Sequence, residues 1–160
     1  MNVNSTSTCL SICMGTFLLI WNASAQEQTI ECKNVPAAVR TAFQNAYPKA
    51  VIRACAKEVE EGKTAYEISS AEGKTRRDVL FYEDGTLIVV EEAIPAGDLP
   101  EPVQQAVKET FPGRSIDLAE KVTREGEVTY EIRVKQRDEL LEIVFDASGK
   151  EIRREVGGLD

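Results

Sequence analysis

The chain has 160 residues, a net charge of −8 and 42% hydrophobic residues, enough for one domain or two half-sized ones with a core. The acidic balance argues against a nucleic-acid partner, whose phosphates call for a basic face, and against an anionic membrane surface. Histidine is absent, which removes the commonest general base, the usual catalytic dyads and triads, and most zinc and copper sites.

Residues 1–25 read as a signal peptide. Leu10 to Trp21 is an uncharged, mostly apolar run, short for a bilayer span. Ala23-Ser24-Ala25 supplies the small residues of a cleavage site, so the mature chain would begin near Gln26. No Lys or Arg precedes the apolar run, and an uncleaved N-terminal anchor is the alternative. Cys9 and Cys13 would leave with the signal. Cys32 and Cys55 remain, an even pair that predicts a disulfide in an oxidising compartment. Loop closure gives such a bridge about 3 kcal/mol; two unconnected buried thiols are the alternative.

After a short segment, 26–34, the chain repeats itself. Val35-Pro36 aligns with Leu99-Pro100 at an offset of 64 (100 − 36), and the register holds without a gap. Tyr47-Pro48 meets Phe111-Pro112, Glu61-Gly62 meets Glu125-Gly126, Tyr66-Glu67-Ile68 meets Tyr130-Glu131-Ile132, and Phe81 meets Phe145. Repeats therefore span 35–92 and 99–156, with 93–98 as linker and 157–160 as tail.

Each repeat opens on a predicted helix. Val39, Ala42, Phe43, Ala46 and Tyr47 form one apolar stripe, as do Val103, Ala106, Val107, Thr110 and Phe111. Arg40, Gln44, Gln104 and Lys108 fall on the opposite side and are expected to face water. Pro36 and Pro100 suit the first turn, with Asn34 or Asp98 near the cap, and Pro48 and Pro112 end each helix. Strands follow. Tyr130, Ile132 and Val134 alternate with Glu131, Arg133 and Lys135, and Glu-Gly, Asp-Gly and Ser-Gly pairs mark tight turns. A module of about 60 residues is marginal alone. The expected fold is α+β: two repeats of a helix followed by a four-stranded antiparallel meander, the sheets joined and both helices on one face.

The residues Val35, Pro36, Val39, Ala42, Tyr47, Pro48, Gly62, Tyr66, Glu67 and Ile68, and their second copies, resemble the PepSY-like, β-lactamase-inhibitor-like domains. The resemblance covers nearly the whole mature chain. It implies an exported, periplasmic protein and a sheet whose uncovered, concave face grips a partner. The matching positions are scaffold positions, so no inhibitory contact residue is carried over.

Candidate chemistry is sparse. Glu67 and Glu131 occupy the same place in both copies and should point away from the helices; as a pair they could serve acid–base catalysis, and otherwise they are solvated or cross-strand charges. Glu58, Glu60 and Glu61, and Glu91 with Glu92, could gather calcium only if a loop wrapped them. Lys74, Arg76 and Arg77, with Arg133, Lys135 and Arg137, form basic patches that either dock a partner or discourage edge pairing. If Val79 and Phe81 face the helix, Leu80 and Val144 face outward. Taking Ile88 as a core position puts Leu87 and Val89 outward too, where the second copy has Glu151 and Arg153. That apolar row is either exposed for recognition or buried at the junction of the repeats.

The sequence thus points to an exported, non-catalytic module, an inhibitor or adaptor that binds a periplasmic protein or peptide. The candidate face is Leu80, Leu87, Val89, Val144, Glu67, Glu131 and Arg133, with no cofactor, no nucleic acid and no membrane contact after signal cleavage. A small-molecule or metal-sensing domain is one alternative, and an enzyme using Glu67 and Glu131 another.

Overall fold

The structure, a computed structural model, describes residues 27–136 and 139–157. The signal segment, Arg137 and the tail beyond Gly157 lie outside that range. Among the described residues two helices and nine strands follow one another. Strand β1 (Gln28–Thr29) precedes helix α1 (Ala37–Ala46) and strands β2 (Val51–Glu60), β3 (Lys63–Glu72), β4 (Thr75–Tyr82) and β5 (Leu87–Ala93). A 3-10 turn at Ala96–Asp98 leads to helix α2 (Glu101–Thr110) and strands β6 (Ile116–Arg124), β7 (Glu127–Gln136), β8 (Glu139–Asp146) and β9 (Glu151–Gly157). All nine strands form one antiparallel sheet in chain order. The short strand β1 was not expected, because two residues carry no readable alternation. It is held beside β2 by backbone bonds and by the Cys32–Cys55 disulfide, whose Cα atoms are 5.2 Å apart.

Both helices begin after a proline and stop one residue short of Tyr47-Pro48 and Phe111-Pro112, as the restriction on residues before proline requires. Val39 and Phe43 of α1 pack on Ile68, Val79 and Phe81; Val103 and Val107 of α2 pack on Ile132, Ile143 and Phe145. Neither helix has a side-chain N-cap bond, so the expected role of Asn34 and Asp98 is not what the structure has. Instead a residue of each helix reaches back along the incoming chain. Arg40 Nη1 donates to the carbonyls of Lys33 (3.0 Å) and Val35 (2.5 Å). Gln104 Nε2 donates to those of Gly97 (3.2 Å) and Leu99 (2.8 Å). These two residues, expected to face water, are half-buried straps.

Cross-strand pairing fixes the faces, since directly opposed residues point to the same side. Ile68 opposes Val79, and Val79 opposes Val90; Glu92 opposes Lys121, Lys121 opposes Tyr130, and Ile132 opposes Ile143. This series lies under the helices, so α1 and α2 share one face. The opposite face holds Glu67, Asp78, Leu80, Val89, Glu91, Glu120, Glu131, Arg133, Glu142, Val144 and Arg153.

Turn geometry anchors the layers. Glu61 and Gly62 both take positive φ (51° and 76°), as do Glu125 and Gly126 (52° and 84°), the pattern of the two-residue hairpin turn whose twist matches its strands. At Gly149 a side chain is excluded outright: φ is +83°, and a Cβ would stand 2.5 Å from the Pro102 carbonyl oxygen. The β8–β9 turn therefore rests directly on the first turn of α2.

Candidate functional site

The uncovered face is curved, and its curvature answers what becomes of the apolar row. Glu60, at the tip of the β2–β3 hairpin, pairs with Arg124 of β6 at 2.8 Å, although β3, β4 and β5 lie between their strands. Tyr82 Oη donates to Glu61 at 3.2 Å, and the Lys63 ammonium sits 5.0 Å from the Tyr82 ring centre. The hairpin tip thus arches over the face and closes on β6. Beneath it Ala65, Leu80, Ile88 and Val89 are buried with Tyr82 and Val122.

Two expectations change. Leu80 (5% exposed) and Val89 (4%) do lie on this face, but they are sealed and offer no patch to a partner. Ile88 is not a helix-facing core residue. The register slips there, Leu80 opposing Val89 but Phe81 opposing Leu87, so Ile88 is the extra residue of a bulge and turns toward Leu80. Leu87, the residue before it, opposes Phe81 and so falls on the helix side of the sheet and not on the uncovered face as expected, 53% exposed and apart from that cluster. Val144 is half-buried.

Beyond the arch the face is a band of carboxylates. Glu120 and Glu131 oppose each other on β6 and β7 and are nearly buried, at 7% and 9% exposure. Arg133 reaches Glu142 (3.3 Å), Glu131 (3.6 Å) and Glu120 (3.9 Å). Arg153 reaches Glu155 (3.3 Å), Glu142 (3.5 Å) and Glu131 (3.8 Å). Even so, desolvation and the neighbouring Glu142, Glu91 and Glu120 hold the Glu131 carboxyl well above the usual range. In β3–β5 the band continues through Glu67, Asp78 and Glu91. Burial first, then Asp78 and Glu27, push Glu67 up to about 7, against a hydrogen bond from Ser69 Oγ (3.2 Å) that favours its ionised form. Burial first, then Glu120 and Asp78, push Glu91 up to about 7. A concavity of about 380 Å³ opens beside these residues, lined by Arg53, Ser69, Asp78, Glu91, Glu120 and Arg133 among others.

Glu67 and Glu131 are four strands apart in the sheet order, and neither is among the groups that perturb the other. They do not meet as a catalytic pair. Glu60 is engaged by Arg124 and Glu92 by Arg77, and Glu91 and Glu92 point to opposite faces. Among the described residues no group of His, Cys, Asp or Glu side chains is arranged to hold a metal ion.

The basic patches also separate. Arg77 is not a solvated strand end. Its side chain is 11% exposed under α1, bonded to Glu92 through Nε (3.0 Å) and Nη2 (2.5 Å), with its guanidinium 4.3 Å from the Tyr47 ring centre. Arg76 lies on the uncovered face, Lys74 in the β3–β4 turn, and Lys135 is exposed. Alternation with Val79 and Phe81 puts Arg77 on the helix side of the sheet, although its residue type suggests a solvated end.

A sheet covered by helices on one face and acidic on the other defines an α+β scaffold whose free surface is concave. The family model described as "Putative beta-lactamase-inhibitor-like, PepSY-like" matches the sequence twice, over residues 20–89 and 70–153, and the chain belongs to that family. Among solved structures, a "putative periplasmic" protein from Bacteroides eggerthii superposes with a TM-score of 0.67 at 18% identity, covering 76% of this chain and 88% of that one. A DUF2874 family protein from Bacteroides uniformis gives 0.64 at 18% identity, with 76% and 88% covered. A BLIP-like protein from Bacteroides fragilis gives 0.60 at 17% identity, with 76% and 86% covered. No curated protein matches the sequence. Among the described residues no helix is long and apolar enough to cross a membrane.

Proposed function

We propose that this protein is an exported, non-catalytic binding module that presents the uncovered sheet face to another protein or peptide in the periplasm, as an inhibitor or adaptor. The observation that carries this reading is one-sided coverage. Both helices lie on the same face of a nine-stranded sheet, while the other is concave and lined by polar groups held in fixed cross-strand pairs. Rigid, preorganised polar groups on strands favour recognition, because little is left to order on binding. The "periplasmic" description of the Bacteroides eggerthii protein and the "BLIP-like" description of the Bacteroides fragilis protein accord with this reading. So does the apolar run ahead of Ala23-Ser24-Ala25. In this account the two halves are copies of one helix-plus-meander unit whose sheets have merged, which makes a surface wider than either copy could hold alone.

The test is site-specific photocrosslinking in the native compartment. A photoreactive residue at Thr129 or Glu155 on the uncovered face should yield a discrete crosslinked species, and the same residue at Gln105 on the outer side of α2 should not. Equal crosslinking from both sides, or none from either, would overturn the proposal.

A further inference from the structure

Residues 28–30 and 92–94 stand 64 positions apart (92 − 28) and occupy matching places in the sheet. Gln28 and Thr29 of β1 oppose Lys57 and Ala56 of β2; Glu92 and Ala93 of β5 oppose Lys121 and Glu120 of β6, again 64 further on. The Ile30 amide donates to the Cys55 carbonyl and the Ile94 amide to the Ala119 carbonyl, both at 2.9 Å. Thus β1 is the counterpart of the last two residues of β5. It lacks the rest of that strand. Val89, Val90 and Glu91 continue along β6 opposite Arg124, Thr123 and Val122. The matching stretch of β2, Glu58–Glu60, has no such neighbour among the described residues, and Val59 is 54% exposed.

At the other end β9 is the counterpart of β5, and no described strand lies beyond it. Its bulge residue Ile152 is 55% exposed, whereas Ile88 in the matching bulge is 6% exposed, packed with Val122 of the strand next door. Each end of the sheet is therefore one half of the β5–β6 junction. The cysteines fit this arrangement, since the counterparts of Cys32 and Cys55 are Ala96 and Ala119. The second half needs no bridge there, because its opening strand is continuous with β5. In the first half the two-residue strand is tied down by the disulfide.

We propose that the two ends of the sheet are docking edges for a second copy of this chain, β9 of one molecule joining β2 of the next in the register of β5 on β6, and that β1 is the cap that prevents it. In that register Arg153, Arg154, Glu155, Val156 and Gly157 oppose Glu60, Val59, Glu58, Lys57 and Ala56 of the next copy. The cap occupies the last two of those places. The Cys55 carbonyl points outward to β1, so by alternation Lys57 and Val59 direct their backbone groups to the same edge. Arg153 facing Glu60 favours the joint, and Glu155 facing Glu58 weakens it, so association should be reversible. Joining two unlike edges is heterologous and makes open chains of molecules, not closed pairs. The joint uses the ends of the sheet and does not rest on the reading of the uncovered face. Release of the cap is a thiol–disulfide exchange: a dithiol gives two electrons and two protons to Cys32 and Cys55, which become thiols, and closes to its own disulfide.

The experiment is sedimentation velocity on the mature protein over a range of concentrations. The oxidised protein should stay monomeric. Reduction with dithiothreitol, or Cys32→Ala with Cys55→Ala, should give a concentration-dependent series of two, three and more copies. In the alanine background Val59→Pro removes an edge amide of β2, and Val156→Pro one of β9. Each should be monomeric alone, and an equal mixture should form two-chain species and nothing longer. Val59→Lys, which leaves the backbone intact but sets a cation opposite Arg154, should also block association, in case a proline perturbs the fold. An alanine variant that is monomeric at every concentration, or association that survives substitution at both edges, would overturn the inference. Either result leaves crosslinking from the uncovered face untouched.

Discussion

Glu67 shows how a residue easily taken for surface charge becomes a controlling group. Alternation places it on the uncovered face, but not in the half-buried setting that desolvates it. Its folded pKa, near 7, lies above the ordinary 4.5, and the same holds for Glu91. Between those values the folded state holds protons that the unfolded chain has lost, so stability is greatest below pH 4.5 as far as these groups decide it, and falls as pH rises through about 7. Thermal unfolding should therefore occur several degrees higher at pH 5 than at pH 8. Glu67→Gln should raise the midpoint at pH 8 and leave it nearly unchanged at pH 5; a midpoint independent of pH, or a variant effect confined to acid, would contradict this. Gly149→Ala tests the opposite kind of residue. It meets both an unfavourable φ and a carbonyl at close range, and should cost roughly 2 kcal/mol or more in urea unfolding.

At the scale of elements, the helices, their ends and the strand phases were legible because they rest on local rules: the 3.6 and 2.0 periodicities and the restriction before proline. The α+β class, the antiparallel sheet and the Cys32–Cys55 pair follow from such signals. What was not legible is set by tertiary contact. Ile88 turns to the uncovered face because of a bulge, and Leu80 and Val89 are sealed because a distant hairpin arches over them; neither leaves a mark in the pattern of nearby residues. Arg77 differs: its phase with Val79 and Phe81 marks its face, but its partners are set by tertiary contact. Arg77, Glu92 and Tyr47 meet beneath α1, and at the same offset the other half has Leu141, Val156 and Phe111. A buried ion pair is often replaceable by apolar groups as a set, but not one partner at a time. Arg77→Leu alone should cost about 1–2 kcal/mol in urea unfolding, because Glu92 loses its partner while its side chain, 34% exposed, keeps access to water, whereas the triple change Arg77→Leu, Glu92→Val, Tyr47→Phe should be close to neutral. Equal losses from the single and triple variants would refute that account.

For the whole molecule, the decisive link is the ladder between β5 and β6, which makes one sheet of two halves. The arch from Glu60 to Arg124 and the burial of Val122 with Leu80 cross the same seam. A fragment ending at Ile94 would expose the β5 edge and lose half of that enclosure. Produced alone, it should show poorly dispersed amide signals and no cooperative unfolding transition, and a folded, cooperative fragment would show that each half is self-sufficient.

The disulfide sits at one rim of this sheet, and its consequence concerns neighbours more than internal stability. Without it, β1 has only a few backbone bonds to hold it over β2, a ten-residue strand with Val51 and Val59 on its surface. Reduction would free the Cys55–Lys57 stretch that β1 covers and leave the β2 edge open along its whole length, ready to zip onto other chains. The bridge thus acts as a guard against self-association, effective only after the polypeptide has reached an oxidising compartment.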